Sequence, residues 1–300
     1  MINQNVAIVR APFGLGAGTP GAELGPAHIL YAAGLLDKLK DLGIPYQITE
    51  EINVSPQLTP LQSKNAKRLA EVLDISGRLA DRVSALVGQG AMPLVLGGDH
   101  SISIGTIAGL AEHYANLGVI WFDAHSDLNT EETSPSGNIH GMSLGINLGR
   151  GIPALTGLRG IEPKIKPEHV AIVGARSLDP GEKKYIRSLG IACYTMHDID
   201  RLGIARVMEK VASHLGRTTD GVHVSFDIDC LDPREAPGTG TPVRGGLSYR
   251  EANLALELLY QSDLVTSAEF VEVNPGLDSN DQTAKLAVEL IGSLLGEQIL

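Results

Sequence analysis

Six short runs of β-branched and apolar residues recur along the chain: NVAIVRA (5–11), MPLVLGG (92–98), LGVIWFDAH (117–125), EHVAIVGA (168–175), GVHVSFDID (221–229) and LVTSAEFVEV (264–273). Several are too uniformly apolar to leave one face for solvent, which requires a sheet covered on both sides and hence a mostly parallel one. Between them, residues 59–90, 101–117, 198–215, 248–261 and 281–296 carry helical spacing. This alternation predicts an α/β fold, and because it continues to the C-terminus without a linker, a single domain over residues 1–300. A hydrophobic content of 43% and 35 glycines suit a large buried sheet with many tight loop-to-helix transitions. Two helix starts are legible in detail. SYRE (248–251) reads as a capping box from Ser248 to Glu251, and DPGE (179–182) as another with Pro180 at the first helical position.

The formal charge of −11, with no basic run, argues against a nucleic-acid surface and is compatible with a cationic small substrate. Cys193 and Cys230 stand far apart and in no metal-binding spacing, so two free thiols are expected. No apolar run approaches the roughly 18 residues of a membrane span, and the first residues lack a basic and apolar leader pattern. The expectation is a cytoplasmic protein with no membrane partner.

Three of the strand patterns end in ligand-type side chains. Asp123, His125 and Asp127 share one face if strand geometry persists through them; Asp227 and Asp229 repeat the device; PLVLGGDHS ends in Asp99 and His100. Loops at the carboxyl ends of parallel strands gather on one edge, so these clusters are expected to meet in one crevice. Four clustered carboxylates repel unless neutralised, and two divalent cations supply the charge. His100, Asp123, His125, Asp127, Asp227 and Asp229 are the candidate metal ligands, all oxygen or nitrogen donors. That donor set favours Mn²⁺, with Co²⁺, Fe²⁺ and Zn²⁺ as alternatives. A lone Asp after a strand is more often a turn former or helix cap, so Asp99 and Asp232 are not counted as ligands. Cys230 follows Asp229 and is expected to point away as a packed thiol.

LGGDHS (96–101), DAHSDLN (123–129), SFDIDCLDP (225–233) and APGTGTP (236–242) resemble the signature blocks of the ureohydrolase superfamily, the arginases and agmatinases, and the resemblance runs from GAELGPAHIL near the N-terminus to EFVEVNP at 269–275. It implies a three-layer α/β/α fold with two Mn²⁺ ions. It also implies that His100, Asp123, Asp127 and Asp229 ligate one ion and Asp123, His125, Asp227 and Asp229 the other, Asp123 and Asp229 bridging. The chemistry implied is attack of a metal-bridging hydroxide on a guanidinium carbon, giving urea and an amine. Glu272 resembles the carboxylate that pairs with the guanidinium, and His140 the histidine that protonates the leaving amine.

Asn129, Ser136 and Asn138 resemble the residues that hydrogen-bond the α-carboxylate of an amino-acid substrate, and Asp179 the residue that helps hold its α-amino group, a role compatible with capping the helix at DPGE. These residues lean toward bacterial arginase, converting L-arginine to L-ornithine and urea. An agmatinase or another guanidino-acid ureohydrolase is the alternative, and a non-catalytic metal-binding relative the remote one. A homo-oligomer, trimer or hexamer, is implied by the same resemblance. Cys230 stands where many arginases have glycine, with altered packing or oxidation sensitivity as the expected consequence. Ser177 stands where some family members carry an acid.

Overall fold

The computed structural model describes residues 5–61, 63 and 65–298. Eight strands form one sheet: β1 (Val6–Ala11), β2 (Tyr46–Ile48), β3 (Met92–Gly97), β4 (Leu117–Phe122), β5 (Val170–Ala175), β6 (Ala192–Thr195), β7 (Gly221–Asp227) and β8 (Val265–Val271). Their order is β2-β1-β3-β8-β7-β4-β5-β6, and the pairings between them are parallel. The six expected strands are all present. The two unexpected ones, β2 and β6, sit at the sheet edges, where partial exposure removes the apolar run that marks a central strand.

Eight helices of seven or more residues flank the sheet: α1 (Leu35–Asp41), α2 (Leu69–Gly88), α3 (Ser103–Leu110), α4 (Pro180–Leu189), α5 (Met196–Leu202), α6 (Ile204–Thr218), α7 (Tyr249–Ser262) and α8 (Gln282–Leu294). Side-chain alternation along β1 shows the layering. Val6 and Ile8 belong to one apolar layer with residues of α1, α5, α6, α7 and α8, whereas Ala7 and Val9 belong to the opposite layer with residues of α2, α3 and α4. The result is the three-layer α/β/α sandwich. Among the described residues no helix is long and apolar enough to cross a membrane.

Three helix expectations need correction. The pattern read over 59–90 is helical only from Leu69, because the segment before it is drawn to another loop: Lys67 N–H donates to Gly137 C=O at 2.9 Å, and Asn65 reaches the same loop through its side chain. Gln62 and Lys64 of that pattern lie outside the described residues. The helix expected over 101–117 ends at Leu110, ahead of β4, and the one over 198–215 is split into α5 and α6 at Gly203, whose φ of 78° breaks the ladder. Both capping boxes form, Ser248 N–H donating to Glu251 Oε2 at 2.9 Å and Asp179 N–H to Glu182 Oε2 at 2.8 Å.

The chain passes from β3 directly to β4, and β8 and β7 later fill the gap between them. This topological switch point brings the carboxyl ends of β3, β8, β7 and β4 side by side, the position where open parallel sheets bind ligands.

Candidate metal centre

All six candidate ligands meet at that edge. His100 Nδ1 lies 3.1 Å from Asp227 Oδ2, 3.2 Å from Asp127 Oδ2 and 3.4 Å from Asp123 Oδ2. His125 Nδ1 lies 3.2 Å from both Asp123 Oδ1 and Asp229 Oδ2. Two groups of donors result, His100 with Asp123 and Asp227, and Asp123 with His125 and Asp229, each with its ligand atoms within 4.8 Å of one another. Asp123 is common to both, which is the arrangement of a binuclear metal site.

The route to this convergence differs from the expected one. β4 ends at Phe122 and β7 at Asp227, so strand alternation places Asp227 but does not carry Asp123, His125, Asp127 or Asp229. Asp127 instead adopts a left-handed φ of 50°, which folds its carboxylate back toward His100. Residues Ile228–Cys230 form a 3₁₀ turn in which Asp229 N–H donates to Asp227 Oδ1 at 2.8 Å. Asp229 falls beside His125, as the resemblance implies, and Thr241 Oγ1 donates to its Oδ2 at 2.9 Å; Asp227 falls beside His100, where the resemblance implies Asp229.

The electrostatics suit cations. Burial and the charges of Asp229 and Asp123 push the Asp227 carboxyl well above its ordinary range, and burial with the Asp123 charge raises Asp127 to about 6. Burial opposes charging the histidines, yet the surrounding carboxylates overcome it, holding His100 well above the usual imidazole range and pushing His125 up to about 12. The cluster therefore balances its charge by holding protons that divalent cations would replace. Its oxygen and nitrogen donors, with no sulfur, fit hard to borderline divalent ions.

Asp99 and Asp232 serve the backbone. Asp99 accepts from Gly16, Ala17 and Ser101 N–H, and Asp232 from Arg234 and Gly245 N–H. Cys193 and Cys230 are both free. Cys230 lies in the core beneath the turn, and burial first, then the Asp227 and Asp229 charges, pushes its thiol well above the ordinary value. A thiol so placed is inert rather than oxidation-sensitive.

A cavity of about 250 Å³ opens above the cluster, and His125, Asp127, Asn129, Ser136, His140 and Asp179 are among its lining residues. Glu272 lies behind His140, one of the lining residues, and is buried, only 2% exposed, with a left-handed φ of 63°. One oxygen, Oε1, accepts from His100 N–H at 2.9 Å and pairs with His140 Nδ1 at 3.0 Å. Burial resists charge on His140, but the Glu272 carboxylate outweighs it and raises the imidazole to about 9. At the rim, Asn129 Nδ2 donates to Asp179 Oδ2 at 2.9 Å. Asn138 stands apart: its Oδ1 accepts from Lys67 Nζ at 3.2 Å, and it lines a neighbouring surface hollow.

Sequence reading missed the residues that hold this arrangement. Trp121 Nε1 donates to Asp123 Oδ2 at 2.9 Å, and Ser126 Oγ and Leu128 N–H both donate to Glu182 Oε1. Asn65 Nδ2 donates to Glu131 C=O at 3.0 Å and Ser134 C=O at 2.8 Å, bracing the rim. Ser225 and Glu269 lie beneath His100. For Ser225 and Glu269 the available signal was polarity at positions flanked by apolar residues; Trp121, Ser126 and Asn65 carry no such mark.

The family model described as Arginase family matches residues 4–296. The chain is 52% identical over 297 residues to the arginase of Bacillus caldovelox, covering 98% of this chain and 99% of that protein. It is 51% identical over 299 residues to the arginase of Bacillus subtilis (strain 168), covering the whole of both. Among solved structures, the Bacillus caldovelox arginase is similar with a TM-score of 0.95 at 51% identity, covering 99% of this chain and 100% of that one. The Entamoeba histolytica arginase, solved in complex with L-ornithine, has a TM-score of 0.89 at 33% identity, with 98% and 99% covered.

Proposed function

The chain belongs to the arginase family and hydrolyses L-arginine to L-ornithine and urea, and from that premise we propose that it does so over two Mn²⁺ ions held by its six buried donors. His100, Asp123, Asp127 and Asp227 hold one ion, and Asp123, His125 and Asp229 the other, following the two donor groups. When bound, such ions supply Lewis acidity and lower the pKa of water toward neutrality. The observation that carries the reading is the convergence of these donors on a cavity lined by His125, Asp127, Asp227 and His140, the last paired with the buried Glu272 carboxylate.

Each remaining role follows from chemistry at a stated atom. A guanidinium is delocalised and a poor electrophile, so it must be held still. Glu272 Oε1 is already fixed by His100 N–H, which leaves Oε2, beside Gly240, to pair with the substrate. Hydrolysis joins a water oxygen to the guanidinium carbon and breaks the carbon–nitrogen bond to the ornithine side chain. The leaving nitrogen needs a proton, and His140, raised to about 9 by Glu272, carries one at neutral pH. Asn129 and Ser136 supply rim donors for the α-carboxylate, and Asp179 an acceptor for the α-amino group. Asn138 joins them only by turning away from Lys67.

Mn²⁺ is favoured by the all-oxygen-and-nitrogen donor set. The proposal also takes residues 1–300 as one catalytic domain and the chain as a homo-oligomer, trimer or hexamer, on the strength of the resemblance. The two free thiols support a cytoplasmic location. The deciding experiment is urea release from the Mn²⁺-loaded protein with arginine and agmatine in parallel. A higher kcat/KM for arginine is expected, because rim donors built for a carboxylate are left unpaired by agmatine. Preference for agmatine overturns the carboxylate reading and leaves the metal reading standing.

A further inference from the structure

Beneath the donors lies a buried polar column that metal ligation alone does not explain. His223, Ser225 and Asp227 alternate onto one face of β7, and Ser267 and Glu269 of β8 are the register partners of His223 and Ser225. All five side chains are buried in a face otherwise packed with Val95, Trp121 and Val271. Buried polar groups on an apolar face are costly unless they are used.

The hydrogen bonds of this column have a fixed direction. Glu269 Oε1 has His223 Nε2 at 3.5 Å on one side and the Ser225 hydroxyl on the other, and a carboxylate so placed between donors accepts. Ser225 Oγ has one proton and gives it to Glu269 Oε1 at 2.7 Å. His100 Nε2 lies 2.8 Å from the same Ser225 Oγ, which can now only accept from it. Nε2 therefore carries the hydrogen in the neutral ring, and the lone pair falls on Nδ1, the atom that faces Asp123, Asp127 and Asp227. Trp121 stacks on the ring with centroids 4.0 Å apart and planes 6° from parallel, which blocks its rotation.

We propose that Glu269 is a positioning residue for the metal centre: acting through Ser225, it fixes His100 in the Nε2-protonated tautomer that presents Nδ1 to one of the two cations. The inference rests on the metal reading above and specifies which ion depends on the column. His125, the imidazole of the other donor group, is 27% exposed in its side chain, and its Nδ1 pairs with Asp123 and Asp229. The ion on the His125 side is coupled to the column only through the shared Asp123 and should depend on Glu269 far less.

The test is Mn²⁺ binding to the full chain, followed by the magnetic resonance signal of free Mn²⁺. In Glu269→Leu, Ser225 loses its acceptor and is free to donate to His100. One of the two ions should then bind roughly 10- to 100-fold more weakly while the other changes by no more than about a few-fold. Glu269→Gln keeps a carbonyl acceptor and should hold both ions within a few-fold of wild type. Ser225→Ala should loosen the same single ion, and adding it to Glu269→Leu should cost little more, because both break one chain. Should Glu269→Leu not fold, Ser225→Ala carries the test alone. Unchanged binding, or equal weakening of both ions as a purely structural role would give, overturns the proposal. A wild-type protein that takes up fewer than two ions overturns the metal reading itself.

Discussion

The floor of the active site and its rim are built by different means. The floor takes His100, Asp123, His125, Asp127, Asp227, Asp229 and Glu272 from the ends of four adjacent parallel strands, packed so closely that the backbone N–H of His100 binds Glu272 and that of Ala124 binds Asp229. The rim, residues 129–138, is a loop that is partly exposed, braced across the mouth by Asn65 and by the Lys67 amide. Reaction chemistry that needs fixed geometry sits on the rigid part, and discrimination between substrates on the part that can vary without disturbing it. Damage to the floor should abolish turnover of every guanidino substrate, whereas damage to the rim should change which one is preferred.

The largest effect separates Asp127 of the floor from His140, the imidazole paired with Glu272. Asp127→Ala removes a carboxylate from the His100 group and should lose metal and activity together, with kcat falling by at least roughly 100-fold, beyond what loss of an outer partner causes. His140→Ala should keep both ions and lower kcat by about 10²–10⁴-fold, the usual range for losing a general acid. Metal content measured alongside urea release checks both. If His140→Ala releases metal or retains full activity across the pH range, its assignment as proton donor fails.

The floor was also the more legible part. Carboxylates and imidazoles at the ends of apolar strands are chemically out of place, so Asp123-x-His125-x-Asp127 and Asp227-x-Asp229 announce a site whatever the local backbone does. The geometry was not legible: Asp127 and Glu272 adopt left-handed backbone conformations that their sequence context does not announce, and Asp227, expected beside His125, stands beside His100. Ser225 and Glu269 stayed hidden because one polar residue in a strand reads as ordinary alternation, and burial is a tertiary property. Asn65 sat in a segment whose helical spacing was overridden by bonds to a loop some 70 residues away.

Asn65 offers the intermediate effect and the sharpest probe of the rim. Asn65→Ala leaves the Glu131 and Ser134 carbonyls to water and should loosen the segment carrying Ser136, while no donor of the metal centre is touched. Losing one hydrogen bond's worth of order, about 1 kcal/mol, corresponds to roughly a fivefold rise in KM for arginine. The kcat for arginine should stay near wild type, and kinetics with agmatine, which has no carboxylate to be read by the rim, should not change. Equal losses for both substrates would mean that the brace serves the whole site, and the division between floor and rim would fail.

The smallest effect concerns the segment that leaves the floor after Asp229 and returns with Thr241. Asp232 anchors it, accepting from Arg234 N–H at 3.1 Å, Arg234 Nε at 2.8 Å and Gly245 N–H at 2.8 Å. Burial works against its charge, but the Arg234 contacts and the Gly245 amide hold its carboxyl well below the ordinary range. A carboxyl depressed in the folded state contributes stability that is present above its unfolded value, about 3.9, and is lost as pH falls through the folded one. Asp232→Asn should therefore be less stable than wild type near neutrality by about 1 kcal/mol, as for loss of a backbone-capping side chain, and the gap should close as pH drops below about 4. Arg234 is 90% exposed in its side chain, so water screens its share, and Arg234→Ala should leave the melting temperature almost unchanged. Melting curves of the three proteins between pH 3 and pH 7 decide the matter: a gap between wild type and Asp232→Asn that widens in acid would mean that Asp232 is not held as a carboxylate by these amides.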